Sequence, residues 1–315
     1  MMRNKGISFD NRGDKSSFGV GRAVSKIIEG YRSDNGNSGF DLFEIDLDAI
    51  KKKQEYTSDS YLVDLLNALE KNELEIYYQP IVSLFSNKAV CFEALLRWNH
   101  PELGLVYPTQ FIPYAEDIGL IKEIGSWVIR SSCRQLNNWQ NEFPENKSLA
   151  VSVNVSPKQL EDQDLVNVVR SILKELNLAN GSLILEITES SMIQNIKEAA
   201  KIIKDLRKMG VRISLDDFGV GYSWLNGLGD FPFDSIKLDR KFVWNMLSNS
   251  KDSTVIKKIL ELGLKLNIEI VAEGIETAVQ RDLLKGMNCK LGQGFFYSMP
   301  VRFHAVDRML AGAVC

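Results

Sequence analysis

Eight short apolar runs suited to β-strands recur from about residue 74 to residue 296, and most are separated by stretches with apolar residues at helical spacing. The strand-like runs are LEIYYQPIV, AVCFEALLRW, LAVSVNVS, LILEIT, VRISLDD, DSIKLD, IEIVAEG and CKLGQGFF. Between them stand DLVNVVRSILKELN, NIKEAAKIIKDLRKMG, STVIKKILELGLKLN and TAVQRDLLKGM, and SYLVDLLNALEKNEL leads into the first run. Strands alternating with helices over this length predict an α/β fold, a (β/α)8 TIM-like barrel, with its site at the C-terminal strand ends. One connection departs from that rule. SLFSNK, between the first two runs, is too short for a parallel crossover of a dozen or more residues, so the first strand is expected to be antiparallel. An open doubly wound sheet is the competing architecture, but no G-x-G-x-x-G or G-x-x-x-x-G-K-[ST] follows a strand to support a nucleotide-cofactor version of it.

Residues 1–58 are rich in Gly, Ser, Asn and charge, and read as a linker or remnant segment ahead of a domain spanning 59–315. The 38 basic and 41 acidic residues leave a formal charge of -3, which supplies no whole-chain attraction to a nucleic-acid polymer or an anionic membrane. Cys91, Cys133, Cys289 and Cys315 are far apart and form no C-x-x-C pair, which fits reduced thiols and a cytoplasmic location better than a disulfide frame or a zinc site. No apolar run approaches the roughly 18 residues that span a bilayer, and none follows the basic N-terminus as a signal peptide would require. The two histidines, His100 and His304, stand beside no Ser or Cys nucleophile motif. Catalysis, where present, therefore falls to carboxylates, lysine or metal.

The informative residues are the polar ones that interrupt the strands near their ends, where burial is costly without a partner. They are Glu93 and Arg97 (four apart, hence on one face), Asn154, Glu186 with Glu189 just beyond, Asp216 and Asp217, Lys237 and Asp239, Glu273, and Gln293. Taken singly, each has a plainer reading. Asp217 could cap the turn of FGVGYSWL, Glu276 of EGIET suits the first turn of a helix, and Lys237 could neutralise a neighbouring carboxylate. As a set, Glu93, Asn154, Glu186, Asp216, Asp217 and Glu273 would bring five carboxylates and one amide oxygen to a single mouth. Their repulsion is severe unless divalent cations sit among them. Oxygen ligands without Cys or His favour Mg²⁺ or Mn²⁺, and two such ions suit in-line displacement at phosphorus by water. Arg97 and Lys237 would then hold the phosphodiester charge. Asp216 and Asp217 could share one site if the strand ended between them, with Gly219 and Gly221 permitting the turn.

The segments FEALLRW (92–98), VNVSPKQL (153–160), LEITES (185–190), SLDDFGVGYS (214–223), IKLDRKFV (236–243), VAEGIET (271–277) and QGFFYSMP (293–300) together resemble the EAL-domain family of cyclic di-GMP phosphodiesterases, in order, from about Leu74 to Pro300. The resemblance implies a bacterial signalling enzyme that hydrolyses cyclic di-GMP to linear pGpG with two Mg²⁺ or Mn²⁺ ions. It implies that Glu93, Asn154, Glu186 and Asp216 ligate one ion, that Asp216 bridges to a second ion taking Asp217, and that Glu273 joins the second ion directly or through water. Lys237 is the implied lysine beside the attacking water. Arg97 and Gln79 are implied to hold the substrate backbone, and Asp239 and Gln293 belong to the same substrate-binding group. Glu189 and Glu276 are the implied braces of the adjoining loops. A homodimer and an unidentified regulatory partner are the implied associations. Trp224 stands where the family usually has a small polar residue, a departure that touches dimer packing and leaves the metal set whole. A catalytically inactive cyclic di-GMP receptor would have lost metal ligands while keeping groups such as Arg97, and a protein-interaction scaffold would have lost both. Every aligned ligand position here holds a competent residue, which favours the enzyme.

Overall fold

The computed structural model describes residues 58–188, 196–219 and 232–312. Nine strands form one sheet, β1 (Leu74–Ser83), β2 (Ala89–His100), β3 (Gly104–Val106), β4 (Ala150–Val155), β5 (Leu183–Thr188), β6 (Arg212–Phe218), β7 (Ser235–Leu238), β8 (Glu269–Ala272) and β9 (Leu291–Gly292). The order is β1-β9-β8-β7-β6-β5-β4-β2-β3, and a further β1–β2 pairing closes the first eight of these into a barrel. β1 runs antiparallel to both of its neighbours, while every other pairing around the barrel is parallel. The short SLFSNK connection thus produces the antiparallel first strand that its length demands. The eight expected strands are all present. β3, which the sequence reading lacks, adds to the outer edge of β2 and extends that wall above the mouth.

Ten helices are described, α1 (Ser58–Ala68), α2 (Pro108–Asp117), α3 (Ile121–Glu142), α4 (Pro157–Leu160), α5 (Asp164–Leu176), α6 (Ile196–Lys208), α7 (Arg240–Asn245), α8 (Ser250–Leu266), α9 (Ala278–Gly286) and α10 (Phe303–Leu310). α5 buries Leu165, Val166, Val169 and Ile172, a stripe at helical spacing that faces the barrel. Asn177 and Asn267, at φ 49° and 56° in the left-handed region, terminate α5 and α8 ahead of the next strands, because asparagine tolerates that conformation better than most residues. The outer faces of the strands and the inner faces of the helices form the main apolar core. No helix among the described residues is long and apolar enough to cross a membrane.

The 22-residue α3 packs across β1 and β2 through Trp139. Its ring stands 4.9 Å from that of Tyr78 and 5.3 Å from that of Phe92, and its indole N–H donates to Asp307 Oδ1 on α10 at 2.8 Å. Trp139→Phe removes that donor and part of the buried ring. We expect a loss of about 1–2 kcal/mol, read as a lower urea midpoint with an unchanged slope.

The alternation of side chains along the strands has one result that positions everything else. Each of the eight barrel strands, or the residue just past its end, directs one polar side chain into the interior near the mouth: Gln79, Glu93, Asn154, Glu186, Asp216, Lys237, Glu273 and Gln293.

Candidate active site

Lys237 lies at the centre of this group and is 2% exposed. Its Nζ is 2.8 Å from Glu273 Oε1, 2.9 Å from Glu186 Oε2, 3.1 Å from Glu93 Oε2 and 3.5 Å from Asp216 Oδ1. Burial acts to lower the ammonium's pKa, but the four surrounding carboxylates outweigh it and hold the pKa well above the usual lysine range. One cation among four acids is not enough to neutralise them. Burial, with repulsion from Glu93, holds Glu186 well above the ordinary carboxylate range, and burial pushes Glu273 up to about 7 against the pull of Lys237. Glu93 moves the other way. The burial that would raise it is outweighed by Lys237 and by hydrogen bonds from Gln293 and Asn154.

Those hydrogen bonds fix the orientation of Glu93. Gln293 Nε2 donates to Glu93 Oε2 at 2.7 Å and to Gln79 Oε1 at 2.9 Å, and Gln79 Nε2 in turn donates to the Ser298 carbonyl at 3.0 Å. Asn154 Nδ2 donates to Glu93 Oε1 at 3.0 Å. Turning the Asn154 carboxamide over would exchange its nitrogen and oxygen and offer the oxygen inward.

Asp216 and Asp217 meet by a different device from a strand that stops between them. β6 runs on through Phe218, but its pairing with β7 slips between Leu215 and Phe218, and Asp217 adopts φ 55°. The bulge and the left-handed residue cancel the alternation that would send the two carboxylates to opposite faces. As a result Asp216, Asp217 and Glu273 each offer a carboxylate oxygen within 4.8 Å of the others. Gly219 follows at φ 102°, and a Cβ there would meet the Phe242 ring at 2.5 Å, so a glycine is required at that turn on both counts. Gly221, Trp224 and Glu189 lie outside the described residues.

The remaining candidates fall around the opening. Asp239 caps α7 by accepting from the Lys241 backbone N–H at 2.9 Å, and it shares a cavity of about 380 Å³ with Gln79, Glu93, Asp217, Glu273 and Gln293. Arg97 stays outside the carboxylate cluster. Its Nη1 donates to the Leu96 carbonyl at 2.8 Å, and its guanidinium lies 5.0 Å from the Tyr107 ring centroid and 5.6 Å from that of Tyr77, a cation–π cradle above the mouth. Glu276 is exposed and stands one residue ahead of Thr277, the N-cap of α9, rather than in that helix's first turn. Two residues that sequence reasoning missed also line the cavity, Trp244 and Phe295. Both are exposed large apolar side chains; Trp244 belongs to none of the strand runs, and Phe295, near the end of CKLGQGFF, is apolar and so is not among the polar groups that mark the strand ends.

The donor set fits a hard divalent cation. It consists of oxygens with neither Cys nor His, and Asp216 Oδ1 is buried with no hydrogen bond, the Lys237 ammonium standing 3.5 Å away, while the Asp217 and Glu273 carboxylates converge beside it. Fold and site together are an eight-stranded barrel with one antiparallel strand and an oxygen-rich acidic centre at its mouth. The chain belongs to the EAL domain family, which matches residues 62–300.

Among curated relatives, the bifunctional diguanylate cyclase/cyclic di-GMP phosphodiesterase MucR of Pseudomonas aeruginosa is 39% identical over 271 residues, 86% of this chain and 39% of that protein. The cyclic di-GMP phosphodiesterase PdeR of Escherichia coli is 37% identical over 245 residues, 78% of this chain and 36% of that protein. This chain therefore spans about two fifths or less of these relatives. A solved structure of the PaMucR phosphodiesterase in complex with c-di-GMP superposes with a TM-score of 0.74 at 39% identity, covering 78% of this chain and 99% of that one.

Proposed function

We propose that this domain is a metal-dependent phosphodiesterase that hydrolyses cyclic di-GMP to linear pGpG by in-line attack of water. The observation that supports the reading is the gathering of five acidic side chains, Glu93, Glu186, Asp216, Asp217 and Glu273, at one barrel mouth with Asn154 and Lys237. Two divalent cations held there would polarise the phosphoryl oxygens and acidify a bound water. Glu93, Asn154, Glu186 and Asp216 would hold one ion, and Asp216, Asp217 and Glu273 the other.

The chain's own residues supply the rest. Water's oxygen joins phosphorus as the bond from phosphorus to the ribose O3′ breaks, and the proton lost by water balances the one gained at O3′. Lys237 is an ammonium with no lone pair to receive a proton, so it stabilises negative charge on the phosphoryl group. Glu273, at the cavity wall and 2.8 Å from Lys237 Nζ, is placed to receive the proton at a carboxylate oxygen. Arg97, above the mouth, would hold a phosphate of the substrate.

The decisive assay is chromatography of cyclic di-GMP incubated with the purified protein. pGpG should accumulate with Mg²⁺ or Mn²⁺ and not after chelation. Tight nucleotide binding without turnover under any metal condition would replace the enzyme with a receptor. Gln293→Leu should lower turnover by about 10–100-fold, the usual effect of removing a partner that orients a metal ligand, because Glu93 loses the 2.7 Å bond that fixes its carboxylate.

A further inference from the structure

The interior of an eight-stranded barrel is normally filled by layers of bulky branched side chains. Here the inward positions below the acidic cluster include Cys91, Ser214 and Ser235, two residues before Glu93, Asp216 and Lys237 on their strands. These small side chains leave a well of about 280 Å³ at the end of the barrel opposite the mouth. It exceeds the roughly 150 Å³ of an engineered apolar cavity that takes up benzene. Part of its lining is apolar, including Ile184, Val271 and Leu291, and part carries the Ser214 and Ser235 hydroxyls.

The charges on this lining are already paired. Lys237 and Glu186 bond each other at 2.9 Å, Arg212 Nε donates to the Gly181 carbonyl at 3.0 Å, and Arg212 Nη1 stands 3.6 Å from Glu269. An anionic guest would meet Glu186 and Glu269, and a cationic guest would meet Lys237 and Arg212, so either would have to break a pair. A compact uncharged molecule would break none. Its apolar side would cover the aliphatic wall while a carbonyl or hydroxyl reached the serines.

We propose that this well is a second, non-catalytic site for a small uncharged amphiphile, entered from the face opposite the substrate and coupled to the metal centre because Lys237 and Glu186 line both. The coupling rests on the proposed reading of the mouth as a metal centre, whereas binding does not.

Binding is tested by ligand-observed NMR with 2-pyrrolidinone, and with butyrate as the charged control. Saturable binding of pyrrolidinone alone is expected, weakened at least about tenfold in Ser235→Leu, which fills the well. No saturable binding, equal retention of butyrate, or undiminished binding to a folded Ser235→Leu protein would overturn the site. Ser235→Cys is the near-isosteric second variant, which decides the matter even where Ser235→Leu fails to fold. Its thiolate should displace methanesulfinate from methyl methanethiosulfonate to form a methyl disulfide, located by peptide mass, at a rate that cyclic di-GMP at the mouth does not slow. Absence of labelling, or protection by cyclic di-GMP, would overturn entry from below. Labelling that leaves divalent-cation affinity unchanged, measured by calorimetry, would overturn the coupling.

Discussion

Asp216→Asn is expected to lower cyclic di-GMP turnover about 10³-fold, which corresponds to about 4 kcal/mol of transition-state stabilisation, while leaving the fold intact. In the proposed arrangement Asp216 is the carboxylate shared by the two ions. Its Oδ1 lies 3.5 Å from Lys237 Nζ, and its carboxylate converges with those of Asp217 and Glu273. The amide of asparagine occupies nearly the same space but carries no charge and offers only one oxygen as a ligand. Relief of the repulsion from Asp217 and Glu273 should leave the metal-free variant at least as stable as the parent. The check is a pair of measurements on the same protein, single-turnover chromatography with saturating Mn²⁺ and a thermal melt without metal. Turnover within tenfold of the parent would show that Asp216 is not shared between the two ions.

Lys237→Met should have the second large effect, and on the metal-free protein it should be one of stability. The lysine ammonium is the only cation in contact with Glu93, Glu186, Asp216 and Glu273 among the described ion pairs. Methionine matches the stem of the side chain but leaves four buried or half-buried acids facing one another. Removing one partner of a buried ion pair typically costs about 3–5 kcal/mol, so a loss of that order is expected in chelator. Mn²⁺ should recover most of it, because a divalent ion replaces the missing positive charge. The thermal shift on adding Mn²⁺ should therefore be larger for the variant than for the parent. Turnover should stay low in the variant even with Mn²⁺ bound, since the ammonium proposed to stabilise charge on the phosphoryl group alongside the metal ions is gone. Equal melting temperatures for parent and variant in chelator would refute the stabilising role of the ammonium.

Much of this was legible in the chain because strand physics is local. Glu93 and Arg97 share a face of β2 by simple alternation, and the run LILEIT places Glu186 at an interior position for the same reason. The six residues of SLFSNK were enough to require an antiparallel first strand. α3 was less legible. IKEIGSWVIRSSCRQLNNWQNE carries serines, asparagines and charges among its apolar positions, and its stripe declares itself only when Trp139 is seen against Tyr78, Phe92 and Asp307. Trp244 and Phe295 escaped notice because the strand-end signal is a polar one, and an apolar side chain carries no local sign of whether it walls a cavity or lies on an exposed surface.

For the site, the residue types and their strand-end positions determined by themselves that an acidic, oxygen-rich centre would form at one mouth. Alternation, charge and donor chemistry are properties that each segment carries whatever surrounds it. Tertiary structure alone decided the rest. It threaded Lys237 among four acids drawn from four other strand ends, held Arg97 between two tyrosines outside that cluster, and opened a well beneath the centre where serines stand in place of branched side chains. It also bent β6 so that Asp217, in a left-handed conformation, faces the same way as Asp216. Such arrangements depend on distances between segments far apart in sequence, and those distances are set by closure of the barrel and by its register.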